Sequence, residues 1–169
     1  MKNLYIVRHA KSSWKEAGRT DFERSLNTRG LHNAPFMGRL LAEQNVKPDI
    51  ILSSPAKRAI TTARLFSDSL GYPLENIVEE ESIYEAGINS LVKVINGIPD
   101  KYNIAMIFGH NPGLTIVTNY MCDKYIDNIP TCGIVKIELN VDSWNDVADE
   151  CGKIISFDYP KRHLGPQEE

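Results

Sequence analysis

Three short runs of apolar, β-prone residues constrain this chain more than any other feature. They are Leu4-Tyr5-Ile6-Val7, Asp49-Ile50-Ile51-Leu52-Ser53 and Ile104-Ala105-Met106-Ile107-Phe108. Each is continuous rather than alternating, so a strand made from it must bury both of its faces. The segments between them have helical period. Residues 28–44 carry Leu31, Phe36, Leu40 and Leu41, with Pro35 as a kink or late start. Residues 56–70 carry Ala59, Ala63, Leu65, Phe66 and Leu70, and Gly71 is placed to stop that helix. Residues 89–95 and 113–121 predict two more helices. Strands alternating with helices of this length give βαβ units. The expected fold is therefore α/β: a three-layer sandwich in which a largely parallel, mixed sheet is covered by helices on both faces. The mixed character comes from the end of the chain, where Ile134-Val135-Lys136-Ile137-Glu138-Leu139 and Lys153-Ile154-Ile155-Ser156-Phe157 predict a closing hairpin or edge pair. At 169 residues the chain suits one domain, placed at 1–159, with 160–169 as a polar, frayed tail.

Composition narrows the function. Nineteen Lys and Arg against 22 Asp and Glu give a net charge of −3, which argues against nucleic acid as a partner but leaves room for a local cationic pocket. Cys122, Cys132 and Cys151 are odd in number and form no C-x-x-C pair, so a disulfide framework or zinc site is not expected. The N-terminal apolar run ends at Arg8, too short for a signal peptide, and no run approaches a membrane span. A soluble, cytoplasmic protein is expected. No metal-ligand spacing occurs, so neither a catalytic metal nor a cofactor is called for.

In open α/β sheets, ligands bind beyond the carboxyl ends of the strands. The first strand runs into Arg8-His9-Ala10, and the second into Ser53-Ser54-Pro55 with Lys57-Arg58 opening the next helix. The strand at 104–108 runs into Gly109-His110-Asn111-Pro112-Gly113. Two arginines and two histidines thus converge on one rim. A tetrahedral phosphoryl group needs guanidinium forks to bind its oxygens and a nitrogen nucleophile to accept it.

These residues also carry a resemblance. Val7-Arg8-His9-Ala10 is similar to the Arg-His-Gly signature of the histidine phosphatase, or phosphoglycerate mutase-like, superfamily. Arg24-Ser25-Leu26-Asn27-Thr28-Arg29-Gly30 resembles its Leu-Thr-x-x-Gly helix start. Ser53-Ser54-Pro55 with Arg58, Thr61, Thr62 and Ala63 resembles its second element, and Gly109-His110-Asn111 its second-histidine motif. The motifs lie in order from about residue 2 to 140. Short length and few insertions make the chain most similar to the bacterial phosphohistidine phosphatases of the SixA type. One departure is Ala10 for glycine, which implies a backbone position with no need of positive φ.

The resemblance implies a role for each residue. His9 would be the nucleophile, its other ring N–H held by a backbone carbonyl. Arg8 and Arg58 would clamp the phosphoryl oxygens, Arg58 despite the unfavourable dipole at a helix N-terminus. Protonated His110 would donate to a phosphoryl oxygen, with the Asn111 N–H beside it. Glu85 follows the third predicted strand, where the superfamily often places the general acid, and that role is the expectation, with a solvated loop glutamate as the alternative that Glu79-Glu80-Glu81 just before it leaves open. Thr28 would cap its helix and touch phosphate, and Ser12 would touch substrate. His32 and His163 match no motif.

The function implied is metal-independent phosphatase action through a phosphohistidine on His9. The substrate would be a phosphohistidine of the histidine phosphotransfer type on a partner protein, and phosphate, sulfate or vanadate would occupy the same pocket. A small phosphomonoester is the alternative substrate. A mutase fits less well, because the chain lacks segments to enclose a bisphosphate. A phosphoryl-binding module without catalysis would be favoured only if His9 or an arginine were missing.

Overall fold

A computed structural model describes residues 1–167. The strands are β1 (Lys2–Arg8), β2 (Ile50–Ser53), β3 (Val78–Glu79), β4 (Ile104–Gly109), β5 (Ile134–Leu139) and β6 (Gly152–Asp158). The helices are α1 (Thr28–Glu43), α2 (Lys57–Leu70), α3 (Ile88–Asn96), α4 (Gly113–Met121) and α5 (Pro160–Leu164). The six strands form one sheet in the order β3-β2-β4-β1-β5-β6. The first four of that order run parallel. β5 runs antiparallel to β1 and pairs with β6 as the expected closing hairpin, irregular between Lys136 and Ile137.

The continuous apolar runs are explained by two cores, one on each face of the sheet. Leu4 and Ile6 join Ile107, Leu91, Ile95, Leu114, Val117 and Trp144 on the α3–α4 side. Tyr5 and Val7 join Ile51, Met106, Phe108, Met37, Leu41 and Phe66 on the α1–α2 side. Successive residues of β1 point to opposite faces, so neither can be polar. Gly71, at φ +71, closes α2 in the left-handed conformation. Pro35 lies inside α1.

Two local expectations are corrected. The cap of α1 is Asn27, not Thr28: the Asn27 side chain accepts from Gly30 N–H at 2.9 Å, and exposed Thr28 opens the helix. The segment beginning at 160 is not a frayed tail through 167. It forms α5, and Gln167 bonds Asn33 at 3.0 Å and Arg29 at 3.2 Å on α1. Residues 168 and 169 of that segment lie outside the described residues.

Candidate active site

Parallel register brings the strand ends level. Arg8 of β1 pairs with Gly109 of β4, and Ser53 of β2 pairs with Phe108. The next residues on each strand therefore emerge together, and His9, Ser54 and His110 share one rim. His9 and His110 line a cavity of about 630 Å³ with Arg8, Arg58, Ser12, Glu85 and Asn111 among its walls, and Ser54 bonds His110 from outside that lining.

His9 is buried, and its Nδ1–H donates to the Ala10 carbonyl at 2.7 Å. That bond puts the ring hydrogen on Nδ1 and leaves a lone pair on Nε2. Arg58 Nε–H reaches this Nε2 at 3.4 Å. Burial, aided by the nearby cations, lowers the His9 pKa to about 3, against an ordinary 6.5, so the imidazole is neutral. Thr62 secures the turn: its hydroxyl accepts from Ala10 N–H at 3.0 Å and donates to the Arg58 carbonyl at 2.7 Å. Ala10 is buried without positive φ, as its replacement of glycine implied.

Arg58 stands in the first turn of α2 and is only 5% exposed. Its Nη1 donates to the Asp21 carbonyl at 2.7 Å and its Nη2 to the Asp21 carboxylate at 3.0 Å. Arg8 donates from Nη1 to the Ile129 carbonyl at 2.9 Å. Its Nε is buried without a partner, as is Nδ1 of His110. A buried donor left unsatisfied costs about 1–3 kcal/mol. The Arg8 donor, on a residue of a cationic cavity, suits an oxyanion that would pair it, and His110 Nδ1 joins it in the tautomer whose Nε2 accepts from the Ser54 hydroxyl.

His110 bonds Ser54 Oγ through Nε2 at 2.8 Å, and its ring lies 5.3 Å from that of His9. The expectation of a protonated His110 is corrected for the free protein. Burial and the Arg58 charge lower its pKa to about 4, so it is neutral near pH 7. A bound dianion would act in the opposite sense. Asn111 lines the cavity, but its side chain is held by Asn128, Ile129 and Thr115.

Glu85 is in the cavity wall, exposed at the rim, with φ +55. It stands beside the Tyr84 hydroxyl. Gly113 brings this loop in, because a Cβ there would strike the Ala86 carbonyl. Ser12 is buried in the wall and accepts from Arg24 Nη1 at 2.7 Å. Thr28 lies outside the cavity.

Sequence patterns did not single out Asp21, Tyr84 or Trp14. The Asp21 carboxylate binds Arg58, Arg24 Nε at 3.2 Å and the Tyr84 hydroxyl at 2.6 Å. The Tyr84 bond and these cations hold its pKa down at about 2, while the same bond pushes Tyr84 up to about 12. Arg24 belongs to a quoted motif and could have been found there. Asp21 has only Arg24 as a local partner, and the two partners that tie it to the site, Arg58 and Tyr84, lie 37 and 63 residues away.

Comparison with known proteins gives the family and the fold. A model of the histidine phosphatase superfamily (branch 1) matches residues 4–91, over half of the chain. The fold is similar to that of a provisionally assigned phosphohistidine phosphatase SixA from Agrobacterium tumefaciens: TM-score 0.79, 26% identity, 94% of this chain and 98% of that one. A protein histidine phosphatase SixA complexed with tungstate shares the fold, with TM-score 0.79, 20% identity and coverage of 92% and 95%. An uncharacterized protein of Mycobacterium tuberculosis is 27% identical over 92% of this chain and 100% of its own. The chain belongs to the histidine phosphatase superfamily. Within it, the chain is a phosphatase, and its fold is that of the SixA structures.

Among the described residues no group of His, Cys, Asp and Glu is arranged to hold a metal, and no helix is long and apolar enough to cross a membrane.

Proposed function

We propose that the protein is a metal-independent phosphatase that removes phosphoryl groups from phosphohistidine on a partner protein. The observation that carries this is the tautomer lock on His9, which leaves a neutral Nε2 beside Arg58. In the first step Nε2 attacks phosphorus in line, a P–N bond forms, and the bond to the leaving group breaks. Arg8 and Arg58 take the charge of the equatorial oxygens, and His110 donates to one of them. Water then attacks the phosphohistidine, releases inorganic phosphate and returns Nε2 to its free state. Asp21 is a positioning residue for Arg58. We place the protein in the cytoplasm, where its three free thiols stay reduced.

A phosphohistidine substrate releases an imidazole, which accepts its proton from solvent. An alkyl ester releases an alkoxide and needs a positioned acid, worth about 10²–10⁴-fold. Glu85 at the rim favours the second reading, a small phosphomonoester. Measuring kcat/KM on a phosphohistidine protein and on alkyl phosphates, for wild type and Glu85→Gln, separates the two. We expect phosphohistidine to be the better wild-type substrate and Glu85→Gln to lose most activity on alkyl esters only. A wild-type preference for esters would move the assignment to the second reading. His9→Ala should abolish turnover on both by several orders of magnitude while folding normally; substantial residual turnover would refute the covalent route.

A further inference from the structure

Trp14 is 77% exposed, whereas Trp144 is fully buried in the core. An indole left this open forgoes the burial that ordinarily stabilises it. It is nonetheless fixed in place. The Arg24 guanidinium carbon lies 3.5 Å from the ring centroid, and Arg24 is itself buried and pinned by Asp21 and Ser12. One face of the ring is thus set by an immobile cation, and the ring stands in the wall of the cavity at its mouth. Tyr84 shares that wall, edge-on to His110 at 5.5 Å and to Phe22 at 5.2 Å. A group leaving phosphorus in line with His9 Nε2 departs away from the buried imidazole, into the cavity that Trp14 and Tyr84 also line.

We infer that Trp14 is a specificity-determining residue: a stacking platform that selects planar aromatic or heteroaromatic leaving groups over alkyl ones. The inference rests on the proposed attack by His9, which fixes where the leaving group goes. Ring-on-ring contact is a short-range, geometry-dependent attraction that an alkyl chain does not reproduce. Trp14 touches no phosphoryl oxygen in this scheme, so its effect belongs to the leaving group alone.

The test compares wild type, Trp14→Ala and Trp14→Phe on phosphoimidazole, phenyl phosphate and glycerol phosphate. Trp14→Ala should lose roughly five- to tenfold in kcat/KM on the two ring substrates, chiefly through KM, and stay within twofold on glycerol phosphate. Trp14→Phe should recover most of the loss. An equal loss on all three would overturn the inference, because Trp14 would then only be buttressing Arg24. A binding measurement makes the outcome independent of turnover: phenylphosphonate against methylphosphonate, each displacing vanadate. Wild type should prefer phenylphosphonate by about fivefold and Trp14→Ala should not; equal affinities in wild type would refute the platform. If wild type turns over neither phosphoimidazole nor the two esters yet keeps the phenylphosphonate preference, the proposed function fails and the platform stands.

Discussion

A neutral imidazole is a nucleophile and an imidazolium is not, and burial decides between them at His9. The protein lowers its pKa to about 3, and that of His110 to about 4, by withdrawing both rings from water among arginines. Both therefore stay uncharged throughout the mildly acidic range in which an ordinary histidine titrates. The consequence for stability follows from proton linkage. Between the unfolded value near 6.5 and the folded values, the unfolded chain binds protons that the native state does not. Stability is therefore complete above about pH 6.5 and falls as the pH drops through that window. Thermal melts from pH 7 to 4 should show this decline. Ring-resolved NMR should find His9 and His110 still neutral at pH 5. A midpoint near 6.5 for His9 would remove the basis for its burial-driven neutrality.

Among the elements, the N-terminus of α1 has the least room. A Cβ at Gly30 would run into the Lys11 carbonyl, so helix and nucleophile loop meet backbone to backbone. Gly30→Ala should cost about 1–3 kcal/mol in urea unfolding and lower kcat/KM as well, since the displaced loop carries Ser12 and Asp21. Gly71→Ala, at the left-handed end of α2, should cost about 1 kcal/mol and leave activity alone. Helices and strands with a continuous or periodic apolar pattern were legible in the sequence: α4 and β5 begin and end where their patterns do. The meeting of Arg8, His9 and His110 with Arg58 in one cavity was legible too, because parallel register makes strand ends, and the helix start just beyond β2, coincide. What was not legible depended on distance or brevity. Asp21 acquires meaning only from Arg58 and Tyr84, α5 is 5 residues long and too short to show a period, and Asn27 and Thr28 are both capping residue types.

For the whole molecule, a pocket of fixed cations makes anion binding and folding one equilibrium. Vanadate at a hundredfold its dissociation constant should raise the unfolding free energy by about 2.7 kcal/mol, and chelators should leave kcat unchanged, because arginines supply the positive charge. Arg58→Ala should remove the vanadate effect; a stabilisation that survives it would place the anion elsewhere. The position of β1 carries a last consequence. The strand that ends at the nucleophile lies in the middle of the sheet, between β4 and β5. Both neighbours follow it by about a hundred residues or more, so a nascent chain made only as far as residue 91 holds His9 and Arg58 but neither partner of β1. Leu4 to Val7 must wait, apolar on both sides, until Leu139 has emerged. Until then the strand that carries the nucleophile lacks a neighbour on at least one edge, and the site has nothing to hold it in register.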